Sequence, residues 1–419
     1  MKKNFLAIAL SIISTLCVAQ VKPEKFLGIA VNEEDSVYYA NQAEAWHNEI
    51  KQNPRNETAW KYYYMASHYE AMYQEIYDSG MMDSLMEDMS KHIPGTYTYY
   101  YCKYRESRGE SIAKEYAEKA LQMLPADKDF FDYDNWVAYL FFQNRTSELK
   151  QLAKEYYNSG IYSDYVLESS RNELAGMERN AIYVGTTDMD IIPKLLLIYG
   201  NEEHTDKSII KGGSDLLDSD FQDLTFKHLG LNEKFEIEVD EEFASQFEND
   251  EELDEYMGAY KYDSYDTIHF IYKFIMDHTG RPLYFSRMNL MGYEPWIGNL
   301  MGEGFALKYH KLSEGVTKSN VLEKLKYNCE NVYKMDFLKR RVVDERCNCC
   351  YSFASIWNDV LSWLCVKYKK DGNEKKFKET NELMRSIYEG MDYDDFQIKE
   401  LMELLDEFME DNTEEVIEE

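Results

Sequence analysis

The sequence predicts an α-rich α+β protein in which tetratricopeptide-like helical arrays flank a small, mostly parallel three- to four-stranded α/β domain. Three observations lead there. Apolar and small residues recur near a 3.6-residue period through residues 38–170 and again from Val321 onward. Between those stretches, at 180–310, short β-rich runs alternate with helical ones. The chain has 419 residues, 44% of them hydrophobic, with 36 Tyr and only 7 Pro, which is enough apolar material for two or three packed cores.

Taken in order, the first twenty residues read as an export signal. Lys2 and Lys3 form the positive end, and Phe5 to Leu16 form an apolar stretch too short to span a bilayer. Cys17 and Ala19 place small residues three and one before a cut, so a signal peptide over 1–19 is expected, with a periplasmic or secreted mature chain. Leu16 is too bulky for lipoprotein processing at Cys17, so no lipid anchor is expected. No later segment reaches 18 apolar residues, so no membrane span is expected after cleavage.

Residues 24–175 read as a helical array. Ala40, Ala43, Trp46, His47 and Ile50 share a face; Asn53 to Asn56 break the chain; Thr58 is placed to cap the next helix, which carries Trp60, Tyr63, Tyr64 and Ser67. Ala113, Ala117 and Ala120 are small where two helices must approach, and Pro125 follows, as in the second helix of a tetratricopeptide repeat. Further helices are expected at Asn135–Gln143, Ser147–Tyr157 and Ser163–Leu174. Residues 176–316 form the α/β domain. Strands are expected at Ala181–Gly185, Ser208–Ile210, Pro282–Ser286 and Phe305–Tyr309, with helices near Ile192–Tyr199, Ser214–Leu229 and Asp266–His278. An acidic insert at 236–255 holds eleven carboxylates and no Lys or Arg, without the spacing of an EF-hand loop, and reads as solvated. Residues 317–409 return to helices, with Trp357, Leu361, Leu364 and Tyr368 on one stripe and a break at Asp371–Asn373; an acidic tail occupies 410–419.

The charge narrows the function. With 78 acidic against 46 basic residues the net charge is −32, which repels nucleic acid and anionic lipid. Six cysteines remain beyond the signal. Cys347, Cys349 and Cys350 form the only cluster, with no second hook to complete a zinc site. In an oxidising compartment a disulfide from this cluster to Cys329 or Cys365 is expected, with unpaired packing thiols as the other outcome.

Four ordered matches carry a family resemblance: Gly176–Val184 entering Thr187–Pro193, the polar helix start Ser214–Asp220, Gly280–Phe285, and Glu303–Leu307. Over about residues 170–340 the chain resembles the soluble C-terminal region of bacterial protein O-mannosyltransferase-like membrane proteins. Thr187, Met189 and Ile191 stand where that family's box has Gly, Asn and Thr, and the multi-pass membrane portion that would hold glycosyl transfer is absent from this sequence. The resemblance implies the fold of the middle domain and an envelope location, not an activity.

Asp188 and Asp190 are the sharpest candidates for chemistry. They follow a strand, and two carboxylates one residue apart can share a divalent cation that neutralises a diphosphate; equally, one of them can cap the following helix. Arg281 offers an anion contact or a pair with Glu303. Ser214, after Gly212 and Gly213, opens an anion-holding turn or serves as a cap. The tyrosine runs 62–64 and 97–101 offer faces for a sugar- or peptide-binding groove, or pack between helices. No catalytic motif is present: no HExxH, GxSxG, P-loop or dinucleotide turn. The expectation is a non-enzymatic, exported scaffold without a cofactor, binding a protein or peptide partner. The alternative is a sugar- or nucleotide-sugar-binding protein with a divalent ion at Asp188 and Asp190.

Overall fold

The computed structural model describes residues 21–74, 80–107, 111–235, 265–288, 299–311, 315–339 and 347–391, with 399, 400 and 403. The expected signal, the acidic insert at 236–255 and the acidic tail lie outside them. The chain divides into two compact units, residues 1–132 and 133–419.

The first unit is helical: α1 (Ser36–Gln52), α2 (Glu57–Gln74), α3 (Met81–His92), α4 (Tyr97–Glu106), α5 (Ala113–Gln122) and the first turn of α6 (Phe130–Phe142). Asp35 starts α1 by accepting the Tyr38 N–H at 2.7 Å. The α1–α2 break is the predicted one, but Asn56 rather than Thr58 caps α2, its Oδ1 accepting from the Ala59 N–H at 3.2 Å. Ala117 and Ala120 are fully buried, and α5 packs closely on α4. The core is aromatic. Phe26 packs edge-on against Tyr39, Tyr62 and Phe131 with ring centroids 5.4–5.7 Å apart, and Trp46 stacks on Tyr62 at 5.2 Å. The segment before α1 is tied down by Trp46 Nε1, which donates to the Glu24 carbonyl at 3.2 Å.

The second unit is a three-layer arrangement about one sheet. Helices α7 (Thr146–Ser159) and α8 (Asp164–Gly176) lead into β1 (Ile182–Gly185) and α9 (Asp188–Leu195), which continues as a π-helical turn, Leu196–Gly200. Next come β2 (Ser208–Lys211), a 3₁₀ turn (Gly213–Leu217), α10 (Ser219–Leu229), α11 (Tyr265–Thr279), β3 (Leu283–Phe285), β4 (Leu300–Met301) and β5 (Leu307–Tyr309). Helices α12 (Lys318–Asn331), α13 (Asn348–Lys370) and α14 (Glu374–Gly390) complete the unit.

The sheet has five strands in the order β2-β1-β3-β5-β4, and it is mixed. β2-β1-β3 is parallel, whereas β3-β5 and β5-β4 are antiparallel. This corrects the expected mostly parallel sheet of three or four strands. Five residues join β4 to β5, far fewer than a parallel crossover needs, so this pair can only be antiparallel. Side chains alternate across the sheet. Ile182, Val184, Leu283, Phe285, Leu307 and Tyr309 face a core made with Ile268, Ile271, Tyr272 and Ile275 of α11 and with Phe226 of α10. On the opposite face Tyr183 meets Lys194 of α9, whose Nζ also lies over the Phe353 ring of α13. The same face joins the flanking helices, with Trp357 Nε1 donating to Ser169 Oγ at 3.1 Å and Asn172 Nδ2 to the Lys334 carbonyl at 3.1 Å. Helices on both sides of the expected boundaries at 175 and 316 therefore share this unit's core.

Candidate functional site

A cleft of about 510 Å³ opens in the first unit. Its wall from α2 presents Glu57, Thr58, Lys61 and Tyr62, two pairs one helical turn apart. The start of α4 presents Thr96, Tyr97 and Thr98, and Thr96 caps that helix by accepting the Tyr99 N–H at 3.3 Å. The connection from α5 to α6 supplies Met123, Pro125, Asp127 and Asp129, α6 supplies Asp132, and Lys25 completes the lining. Glu57, Thr58, Met123 and Asp127 stand at an exposed rim, while Lys61, Tyr62, Tyr97, Thr98 and Asp132 form a buried floor.

Lys61 organises the floor. Its Nζ lies 2.7 Å from Asp129 Oδ1 and 2.5 Å from Asp132 Oδ1, with side-chain exposures of 6% for Lys61 and 2% for Asp132. Each carboxylate has a tyrosine donor besides: Tyr62 Oη to Asp129 at 2.9 Å and Tyr97 Oη to Asp132 at 2.5 Å. The Asp129 N–H donates to Asp132 Oδ2 at 3.0 Å and the Asp132 N–H to Asp129 Oδ1 at 3.2 Å, a reciprocal turn that begins α6. Burial opposes charge on both acids. At Asp129, Lys61 and the Tyr62 hydroxyl outweigh it and hold the carboxyl below its ordinary range; at Asp132, burial and the Asp129 charge prevail and push it up. Two acids and one ammonium thus share a net negative site, and the rim adds Glu57 and Asp127 against Lys25 alone.

The sequence pointed to the tyrosine runs, and Tyr62 and Tyr97 do line this cleft. Their neighbours pack instead: Tyr64 and Tyr101 are fully buried and Tyr63 stacks on His47 at 4.9 Å. Lys61, Asp129 and Asp132 are only weakly marked in the sequence. The available signal was a lysine inside the aromatic stretch 60–64 and the Asp-x-x-Asp spacing of 129 and 132 ahead of α6.

Asp188 and Asp190 do not face one cleft. Asp188 is exposed, whereas Asp190 is fully buried and turns back on the start of α9, accepting the N–H groups of Thr186 at 3.3 Å and Thr187 at 3.2 Å. It is the capping alternative that the geometry takes. Gly185 is needed beside it, since a Cβ there would stand 2.5 Å from Ile191 Cγ1. Lys194 lies on the next turn, its Nζ 2.6 Å from Glu173 and 2.8 Å from the Asp190 carbonyl, all three side chains being buried. Burial pushes the carboxyls of Asp190 and Glu173 up, with Lys194 opposing. Among the described residues, no group of three or more His, Cys, Asp or Glu is placed to hold a metal ion.

Arg281 does not pair with Glu303. It donates to the carbonyls of Asn180 at 2.5 Å and Ala181 at 3.2 Å and to Ser208 Oγ at 2.9 Å, tying the starts of β1 and β2 to β3. Glu303 lies instead 3.2 Å from His310 Nε2. Ser214 is exposed in the 3₁₀ turn and caps nothing; the Gly213 N–H is taken by Tyr272 Oη at 2.9 Å, and Asp218 caps α10 through the Phe221 N–H at 2.8 Å.

Cys102, Cys329, Cys347, Cys349, Cys350 and Cys365 are all buried, and none is joined in a disulfide. The expected link from the cluster to Cys365 is excluded by one helix. Both ends lie on α13, and the fifteen residues from Cys350 to Cys365 span about 22 Å, against the roughly 4–7 Å that a disulfide bridges. Cys329 belongs to that far end as well, since its neighbour Glu330 accepts from Tyr368 Oη at 2.9 Å. Burial pushes the Cys329 thiol up to about 12.

No family model, curated protein or solved structure matches the chain.

Proposed function

We propose that the protein is a non-enzymatic binding scaffold of the bacterial envelope, and that its N-terminal, tetratricopeptide-like helical array takes a basic peptide segment of a partner protein. The observation that carries this reading is the cleft: about 510 Å³, with a tyrosine and threonine floor and an excess of carboxylates. That volume suits one or two side chains of a bound chain. Lys61 is engaged by Asp129 and Asp132, which leaves two acids, Glu57 and Asp127, against one base, Lys25, among the exposed lining residues. A net charge of −32 would steer a cationic segment towards it. The export signal and the family resemblance over residues 170–340 support the envelope as the place where it works.

The test is fluorescence anisotropy with two labelled decapeptides of the same length, one rich in Lys and Arg, the other in Asp and Glu. The basic peptide is expected to bind and the acidic one not. Glu57→Lys with Asp127→Lys, both at exposed positions, should weaken binding by about tenfold or more. Equal affinity for both peptides, or no response to the charge reversal, rules the reading out.

A further inference from the structure

The start of α13 brings two cysteines into one turn. Cys347 is the N-cap, in extended conformation (φ −98°, ψ 97°), and Cys350 is the third residue of the helix. The Cys350 N–H donates to Cys347 Sγ at 3.3 Å, and the two thiols are hydrogen-bonded to each other. N-cap and third-residue side chains face one another, the same relation a capping box uses. Three residues of helix separate the Cα atoms by about 5 Å, inside the range of roughly 4.4–6.8 Å that a disulfide spans. Cys349 points elsewhere: its Sγ reaches the Met189 carbonyl at 4.0 Å, the one that Pro193, lacking an N–H, leaves without its helical partner. Cys350 Sγ lies 3.5 Å from Ser163 Oγ, the cap of α8. The turn therefore sits where the starts of α8, α9 and α13 meet.

We propose that Cys347 and Cys350 are the site of an intra-turn disulfide, formed when the chain meets a disulfide oxidant, either a protein disulfide or a low-molecular-weight one. The thiolate of Cys347 attacks one sulfur of the oxidant, giving a mixed disulfide and releasing one thiol. The Cys350 thiolate then attacks the Cys347 sulfur, closing the ring and releasing the second thiol. The protein loses two protons and two electrons, and the oxidant gains them. The neighbouring thiols and burial hold Cys347 as a neutral thiol in the folded chain. That is the opposite of the low-pKa thiolate of an exchange catalyst, and it makes the link a structural clamp on the longest helix among the described residues.

The full chain, equilibrated with oxidised glutathione, is denatured in alkylating agent without reductant and cleaved after Tyr351, which separates the cluster from Cys365. Fragment masses are expected to show Cys347 and Cys350 cross-linked and lacking two hydrogens, with Cys102, Cys329, Cys349 and Cys365 alkylated. Cys349→Ser should keep the link, Cys347→Ser should abolish it, and only the chain that can form it should lose Tm on reduction. Complete alkylation of Cys347 and Cys350 in the oxidised wild type, or a link from either to Cys349, overturns the proposal.

Discussion

Burying an ammonium group costs several kcal/mol unless carboxylates surround it, and at Lys61 two of them do. Removing the cation leaves Asp129 and Asp132 facing each other with only tyrosine and backbone N–H donors. Lys61→Met is therefore expected to destabilise the first unit by about 3–5 kcal/mol, whereas Lys61→Met combined with Asp132→Asn, which also removes the acid pushed above its ordinary range, should recover much of that loss. Denaturant unfolding of the three chains measures it, and an equal loss in the single and double variants would show that the ion cluster is not what Lys61 supports. The position was hidden in the sequence for a physical reason. A lysine on a tyrosine-rich face reads as a residue that snorkels to water, and its partners lie 68 and 71 positions away, where nothing local marks them as partners. The tyrosines themselves were legible as candidate groove residues because their chemistry does not depend on what stands opposite. Asp190 is the converse case: both its readings, ligand and cap, were visible, and only the direction of the carboxylate decides between them.

At the scale of elements, the α/β alternation was readable because each strand is a compact apolar run: β1, β2, β3 and β5 fall where Ala181–Gly185, Ser208–Ile210, Pro282–Ser286 and Phe305–Tyr309 were expected. β4 was not, since two residues carry no period. Strand direction was out of reach too, because β5 pairs with β3 on one side and β4 on the other, and the hairpin that sets its sense begins with the unpredicted strand. Helix junctions also carry the clearest pH dependence. Just beyond α13, Asp371 accepts from Lys326 at 2.5 Å and Lys367 at 2.6 Å, joining α12 to α13. Burial works against the Asp371 carboxylate, but these two donors prevail and depress it below its ordinary value of 3.8. A depressed acid stabilises the fold at pH above its unfolded value, and that contribution disappears as pH falls through the folded one. From about pH 5 downward the wild type should therefore lose more stability than Asp371→Asn, whose penalty at neutral pH should be about 1 kcal/mol for so accessible a network. Thermal melts across that window provide the check; parallel acid profiles for the two proteins would contradict the assignment.

At the scale of the whole molecule the net charge of −32 acts on folding and binding with opposite sign. Like charges spread over the surface repel in the compact state more than in the expanded one, so screening them favours the fold. Between about 10 mM and about 150 mM NaCl, where the Debye length contracts from about 30 Å to about 8 Å, Tm should rise by several degrees. Capture of a basic peptide depends on the same field and should weaken over the same range, chiefly through a slower association rate. The two trends test different things. Sulfate and other strongly excluded salts would raise Tm for any protein, so the comparison must use chloride and be complete by moderate ionic strength. A Tm that rises while peptide affinity stays constant would locate the peptide's contacts in uncharged lining residues such as Tyr97 and Met123, not in the carboxylates at the entrance. A Tm that falls would mean that the ion pairs within the units, such as Lys61 with its two aspartates, outweigh the long-range repulsion among the excess acids.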